Sequence, residues 1–232
     1  MQKPIFVNGH IYHSYNRGVE KRDVFMDKQD YLRFIHCLFE FNDTKTAKNM
    51  FYYFNTQDSE VQPHYLKKNR KPRKLLVEIL AFTLMPNHFH LLLKQKKEDG
   101  IAKFMQKLGT GYTMYFNQKY ERVGSLFQGR FKAVHVEEHS HFLHIPHYIH
   151  SNPLGLPDCR GSTSLVGKIK FLESYRWSSF SDYVGKKNFP SVTQKDFLLN
   201  FFGKENKYKK EAVAWLKNYS NNLEEIKNIV LE

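Results

Sequence analysis

Apolar and polar residues alternate in some segments of the first 155 residues and recur every three or four residues in others. Residues 11–15 alternate and end at the turn signal of residues 16–18, which predicts a strand. Apolar residues at three- and four-residue spacing predict an amphipathic helix over residues 29–41. Residues 43–74 are polar, and six of the eight residues from 67 to 74 are basic. This composition favours an exposed loop or insertion.

The same two periodicities continue to residue 152. They predict, in order, a strand at 75–84, a turn at 85–87, a strand at 88–93, a helix through 101–116, a strand around 125–137 and a short helix near 140–152. The order βαββαβ plus a terminal helix is typical of a ferredoxin-like sandwich with an antiparallel sheet, in the α+β class. We assign residues 1–155 to this domain. A stretch rich in Gly, Ser and Pro follows, then two or three helices, so residues 156–232 are interpreted as a helical accessory region.

Charge and aromatic content point to a class of partner. The chain carries 36 Lys and Arg against 23 Asp and Glu, a net charge of +13, and 16% of its residues are aromatic. Lys and Arg neutralise phosphates, and unpaired bases stack on aromatic rings, so a nucleic acid is a plausible ligand. Net charge alone is weak support, because it also serves solubility.

The remaining composition indicates where the protein works. Its two cysteines, Cys37 and Cys159, are too few for a disulfide framework and are expected to be thiols of a reducing compartment. Neither a signal peptide nor an apolar run of 18 residues is found. We therefore expect a cytoplasmic protein with no membrane span.

Two segments carry side chains that can do chemistry. His88 and His90 lie two residues apart on a predicted strand, so both imidazoles point to one face and can bind one ion, or they are simply satisfied by hydrogen bonds. Tyr148 and Asn152 share a helix face at i, i+4, which equally suits a tyrosine bonded near a helix end. Pro146 either kinks this helix or begins it.

Combined, the two segments would make one site. If the last helix packs across the sheet, Tyr148 approaches the strand of His88 and His90. Two imidazoles and one amide oxygen leave an incomplete coordination shell, which suits Mn²⁺ or Mg²⁺ at a phosphoryl-transfer site. A tyrosine hydroxyl is a weak nucleophile in water and needs nearby positive charge or a base to activate it.

These residues resemble a known family. Residues 85–93, Met-Pro-Asn-His-Phe-His-Leu-Leu-Leu, resemble the HUH signature of the IS200-like (Y1) transposases, and most of all that of the REP-associated tyrosine transposases. Four supporting segments occur in the family's order, and the resemblance covers roughly residues 8–185. They are Tyr15-Asn16-Arg17-Gly18, Leu126-Phe127-Gln128-Gly129-Arg130-Phe131-Lys132, Tyr148-Ile149-His150-Ser151-Asn152-Pro153 and Tyr175-Arg176-Trp177-Ser178-Ser179-Phe180.

The resemblance implies a metal-dependent endonuclease and strand transferase acting on single-stranded DNA. His88 and His90 match the metal-binding histidines, and Asn152 matches a position that supplies a further polar ligand. Tyr148 matches the nucleophile that forms a 5′-phosphotyrosine and frees a 3′-hydroxyl. Members of the family recognise imperfect DNA hairpins with a short single-stranded flank, and transesterification needs no ATP.

Several features depart from the family or lie beside its motifs. Residues 43–74 interrupt a region that usually has no insertion, and their basic end is either a phosphate-tracking loop or a solubilising one. His144, His147 and His150 crowd the nucleophile segment, where each could accept a proton or imitate a metal ligand, but the favoured interpretation is that they are solvated. For DNA contact we select Arg17, Arg130 and Lys132, which flank the motifs, although each is equally consistent with solvated surface charge. Trp177 is expected to anchor the accessory region.

Two rival functions remain open at this point. A domesticated hairpin-binding protein of the same fold would bind DNA without using Tyr148. A metal-dependent RNA-processing nuclease would cleave without forming a covalent protein adduct. The sequence also leaves open whether the protein is a monomer or a homodimer, and whether Tyr148 acts in its own chain or in a partner's site.

Overall fold

A computed structural model describes residues 4–45, 72–159 and 164–227 together with residue 230. Most of the predicted insertion at 43–74, including the first part of its basic cluster, lies outside the described residues. None of the described helices is long and apolar enough to cross a membrane.

Four strands form one antiparallel sheet. They are β1 (Ile11–Arg17), β2 (Val77–Met85), β3 (His88–Gln95) and β4 (Lys132–His135), and their order in the sheet is β2-β3-β1-β4. Each pair of neighbours is antiparallel. The order matches the predicted ferredoxin-like α+β sandwich, so that prediction of fold class is confirmed.

The fourth strand is shorter than predicted. Only Lys132–His135 pair with β1, whereas the predicted strand ran from about residue 125 to 137. Gly124 and Gly129 have φ of +88° and +71°, conformations that interrupt an extended strand. Phe127 makes an isolated bridge with Gly18. The irregular segment that precedes β4 therefore still lies beside the end of β1.

Helices cover both faces of the sheet. Helices α1 (Lys28–Glu40) and α2 (Gly100–Lys119) pack on one face, and α3 (His139–Ser151) packs on the other. Side chains of β3 alternate between the two layers: Leu91 belongs to the core under α1 and α2, and Leu92 to the core under α3. The sheet therefore presents His88 and His90 to the α3 side.

A buried aspartate joins α1 to α2. The carboxylate of Asp30, which is fully buried, accepts hydrogen bonds from Lys119, Tyr115 and Tyr120 at 2.8–3.0 Å. A buried charge is tolerated when it is paired and hydrogen-bonded in this way. The contact holds the two helices together as one support behind the strands.

The C-terminal region is helical, as predicted, but its described residues form five helices rather than two or three, and the first of them lies in the stretch expected to be irregular because it is rich in Gly, Ser and Pro. Its helices are α4 (Leu165–Ser174), α5 (Phe180–Tyr183), α6 (Asp196–Phe202), α7 (Lys204–Lys217) and α8 (Tyr219–Ile226). Several of them share one apolar core with α3. Trp177 stacks on Tyr31 of α1 with ring centroids 4.5 Å apart. It therefore anchors the segment before α5 to the layer formed by α1 and α2, and not to the other C-terminal helices. The domain boundary at residue 155 stays a prediction.

Two glycines of α2 differ in their surroundings, which gives a test of the packing. A Cβ built on Gly111 would lie 2.5 Å from the ring of Phe41, whereas one on Gly109 would have nothing within 4 Å. We expect Gly111→Ala to lower the free energy of unfolding by about 1–3 kcal/mol through overpacking. The matched control Gly109→Ala should raise it by about 0.5–1 kcal/mol, because alanine favours the helix. Urea unfolding followed by circular dichroism measures both, and equal effects would contradict the contact between Phe41 and α2.

Candidate active site

The two histidines of β3 begin the strand at the centre of the sheet. His88 lies opposite Arg17 of β1, and His90 lies opposite Tyr15. The two imidazole rings are 5.0 Å apart and almost perpendicular. The expectation that both side chains share one face of a strand is therefore met in the structure.

The hydrogen bond of His88 defines its tautomer. Nδ1 of His88 lies 2.6 Å from Oδ1 of Asn87, while the amide nitrogen of Asn87 donates to the carbonyl of Lys21 at 3.2 Å. With the amide in this orientation, Oδ1 is the acceptor and His88 donates from Nδ1. In a neutral imidazole the lone pair then resides on Nε2.

His90 is held by a third histidine. Its Nδ1 lies 2.9 Å from Nε2 of His13, and both side chains are buried. Nε2 of His90 is also buried and has no hydrogen-bond partner among the residues that the structure describes. Burial, and then the neighbouring His13 and His88, hold the pKa of His90 well below its usual value, so this imidazole is neutral. An unpartnered buried nitrogen of this kind is uncommon and indicates a site for a ligand.

Tyr148 reaches the histidines from α3. Its ring centroid lies 5.7 Å from that of His90 and 6.0 Å from that of His13, edge-on to both. Only 4% of Tyr148 is exposed. Helix α3 runs unbroken from His139 to Ser151 with Pro146 inside it, so the proline does not begin the helix.

Asn152 follows directly after α3. Its side-chain amide donates to the carbonyl of Tyr148 at 2.9 Å and so closes the last turn of the helix. Within the described residues, no three His, Cys, Asp or Glu side chains cluster closely enough to hold a metal ion. A third protein ligand beside His88 and His90 would thus be of another type, such as an amide oxygen.

The sequence assigns no site role to three residues that the structure brings to this site: His13, and Tyr15 and Asn87 from the quoted motifs. Tyr15 stacks on His13 and His90 with centroids 5.1 and 5.8 Å apart, and its buried hydroxyl has no hydrogen-bond partner among the described residues. Burial raises the pKa of Tyr15 to about 12, against the lowering effect of Arg17. The alternation of β1 places His13 and Tyr15 on one face, but only the pairing with β3 shows that they meet the other histidines.

The three basic residues selected for DNA contact separate into two groups. Arg17 lies opposite His88 and Lys132 opposite Tyr15, so both are on the histidine face, and Arg17 also donates from Nε to Gln128 at 2.8 Å. Arg130 instead lines a cavity beside α2, on the other face of the sheet.

The expectation of solvated histidines on α3 is wrong. His147 and His150 are buried and His144 is partly buried, because α3 is covered by the C-terminal helices on the side away from the sheet. His150 bonds through Nδ1 to the hydroxyl of Tyr208 and through Nε2 to that of Ser179, both at 2.8 Å.

His144 accepts from the Trp215 indole at 3.0 Å and lies 2.9 Å from Glu225. These contacts tie the helix that carries Tyr148 to α7, α8 and the segment before α5.

The burial of His147 should make folding sensitive to acid. Burial, and then His144, lower the pKa of His147 to about 3, whereas an unfolded histidine titrates near 6.5. Between these values the unfolded chain binds a proton that the folded chain does not, so stability present at neutral pH is lost as the pH falls. We expect His147→Leu to reduce the slope of unfolding free energy against pH by up to about 1.4 kcal/mol per pH unit. Urea unfolding between about pH 5 and pH 7.5 measures the slope, and an unchanged slope would contradict a neutral buried His147.

Comparison with known proteins shows what this chain is similar to. Residues 47–152 match the family of IS200-like transposases, and the matched segment contains His88, His90, Tyr148 and Asn152. The predicted resemblance to that family is therefore confirmed. No curated protein sequence gives a significant match.

A solved structure shares the fold more widely. It is the structure of a REP-associated tyrosine transposase bound to a REP hairpin, with a TM-score of 0.51 and 13% sequence identity. The alignment covers 83% of this chain and 89% of that chain. At this identity the similarity establishes the fold, including its extension beyond residue 152 into the C-terminal helices.

Proposed function

We propose that this protein is a metal-dependent endonuclease and strand transferase that cleaves single-stranded DNA near hairpins through a 5′-phosphotyrosine intermediate. One observation carries the proposal: Tyr148 lies edge-on to His90, 5.7 Å between ring centroids, and Nε2 of His90 is buried without a partner among the described residues. A phenol beside an imidazole nitrogen that is available for a ligand is the arrangement that tyrosine-based phosphoryl transfer needs.

The residues present fit a divalent cation, Mg²⁺ or Mn²⁺. Asn87 and His13 engage Nδ1 of His88 and His90, which orients Nε2 of each ring as the ligand nitrogen. Outer hydrogen bonds of this type usually fix the tautomer of metal-binding histidines. The amide oxygen of Asn152 is the proposed third ligand. When bound, the cation polarises the phosphodiester and neutralises the charge that develops on it.

Tyr148 supplies the nucleophile in this proposal. Its phenolic oxygen forms a bond to the phosphorus, the bond from phosphorus to the 3′-oxygen breaks, and the proton lost by the phenol ends on that oxygen as a 3′-hydroxyl. One phosphodiester replaces another, so the step is reversible and needs no energy source. Because only 4% of Tyr148 is exposed, we expect the site to open when DNA binds.

The charge distribution supports a DNA substrate. Arg17 and Lys132 lie on the face that carries the histidines, where they can contact phosphates on either side of the reacting one. The chain as a whole has a net charge of +13. The related solved structure is bound to a DNA hairpin, which supports a hairpin with single-stranded flanks as the ligand here. The protein would act as a monomer or a homodimer.

A second candidate is a catalytically idle hairpin-binding protein. The observation that favours it is the burial of Tyr148, which would keep the hydroxyl from DNA in a protein that only binds. Such a protein would bind hairpins equally well with phenylalanine in place of Tyr148.

Covalent adduct formation separates the two candidates. Hairpin oligonucleotides from the DNA flanking the gene are incubated with protein and Mn²⁺ or Mg²⁺, then run on denaturing gels. We expect a protein–DNA band that requires the metal and disappears in Tyr148→Phe. Tyr15→Phe is the matched control, because it removes the other tyrosine hydroxyl of the same cluster and should retain the band. If the band is lost in Tyr15→Phe but kept in Tyr148→Phe, the nucleophile is Tyr15 and not Tyr148. If the protein binds hairpins but forms no band, it is the catalytically idle hairpin-binding protein.

The role of His13 predicts an effect on metal affinity. His13→Phe keeps an aromatic ring in the buried space but removes the acceptor for Nδ1 of His90, so we expect Mn²⁺ affinity to fall by about 10- to 100-fold. His13→Gln places an amide oxygen near the former Nε2 position and should restore most of the affinity. Electron paramagnetic resonance of free Mn²⁺ in titrations measures this without any reaction. Equal affinities in the wild type and His13→Phe would show that His13 does not orient His90 for the metal.

A further inference from the structure

A cavity of about 640 Å³ lies between α2 and residues 125–131, on the face of the sheet opposite the histidines. Asn16 and Phe89 line its inner side. In the chain, Asn16 lies between Tyr15 and Arg17, and Phe89 lies between His88 and His90, whose side chains point to the other face. The cavity and the candidate active site are thus built on the two faces of the same strand ends.

The lining combines three kinds of side chain. Phe89, Met105 and Phe131 provide apolar and aromatic surface. Gln106, Thr110 and Thr113 of α2 contribute polar groups that make no hydrogen bond to other described residues. Arg130 is exposed at the edge and adds a positive charge. The volume is within the range of small-ligand sites, which typically pair apolar walls with a few polar groups.

Gly109 provides an independent observation. It lies in the interior of α2, where glycine is unfavourable, and a Cβ there would meet nothing within 4 Å. Packing therefore explains Gly111, which lies against Phe41, but not Gly109. Gly109 lines the cavity, and the missing side chain keeps that space open.

We propose that this cavity binds one unpaired base of single-stranded DNA, while Arg130 contacts an adjacent phosphate. Apolar and aromatic walls suit the faces of a base, the free amide and hydroxyls suit its edge, and a guanidinium suits the phosphate. A strand that passes around the ends of β1 and β3 then reaches Tyr148 on the other face. The choice of DNA rests on the proposed function, to which the cavity adds a recognition site separate from the catalytic residues.

The test compares DNA with and without bases. Fluorescence anisotropy without metal measures the binding of oligonucleotides of about 12 nucleotides. The probes are oligo(dA), oligo(dC), oligo(dT), a dG-dT repeat, and an abasic chain with the same phosphates. We expect at least one base-bearing probe to bind the wild type about fivefold or more tightly than the abasic chain. Gly109→Leu should abolish most of this preference and leave the affinity for the abasic chain unchanged.

Two further variants make the result specific. Gln118→Leu adds the same side chain to an exposed position of α2 outside the cavity and should keep the preference. Arg130→Gln should lower the binding affinity for every probe, including the abasic chain. It should also reduce the slope of log affinity against log salt concentration by about 1. Gly109→Leu should unfold at or above the wild-type temperature, because it places a helix-favouring residue in open space.

The outcomes distinguish this inference from the proposed function. A base preference retained in Gly109→Leu, or an abasic chain bound as tightly as every base-bearing probe, would overturn the cavity as a base site. If the metal-dependent adduct still forms in that case, only the cavity inference fails. If neither these probes nor hairpins bind and no adduct forms, both fail.

Discussion

The hydrogen bond between Nδ1 of His90 and Nε2 of His13 is the constraint on which the candidate site depends. The two nitrogens lie 2.9 Å apart in a buried layer, so the proton between them has no alternative partner in water. If His90 donates, Nε2 of His90 carries the lone pair and is open to a ligand. If His13 donates, Nε2 of His90 carries a hydrogen that nothing accepts. The burial of that unpartnered nitrogen makes sense only in the first arrangement, with a ligand to complete it.

Tyr148, the proposed nucleophile, is positioned from two sides. The sheet holds α3 through its apolar residues, and the C-terminal helices hold it through His150, Tyr208 and the His144–Trp215 bond. Accessory helices therefore contribute to the geometry at Tyr148 although none of the proposed site residues lies in them. The buried histidines of α3 lie in this packing between α3 and the C-terminal helices. Acid that protonates them should therefore disrupt the packing of α3 and the site together.

Much of the fold followed from the sequence, because strand and helix periodicities are local. The positions of His88 and His90 on one face needed only the alternation of β3. His13 could not be placed, because its contact with His90 spans 77 residues and depends on the register of β1 against β3. The fourth strand is shorter than predicted because Gly129, with a positive φ, interrupts the extended chain before the paired residues 132–135.

The buried histidines of α3 were missed for a related reason. Helix α3 contains no Asp, Glu, Lys or Arg between His139 and Ser151, which indicates a helix covered all round. Histidine counts as a polar residue in the hydrophobic pattern, although a neutral imidazole can be buried, as His150 is between Tyr208 and Ser179. The C-terminal helices that cover this face could not be docked from periodicity alone.

Nitrogen-15 NMR of the imidazoles tests this arrangement, in which His90 donates to His13, since long-range couplings report which ring nitrogen carries the hydrogen. At neutral pH we expect His90 and His88 both to carry it on Nδ1, with Nε2 unprotonated before any metal is added. A hydrogen on Nε2 of His90 would contradict this arrangement, because His13 would then be the donor and Nε2 of His90 could not bind a cation.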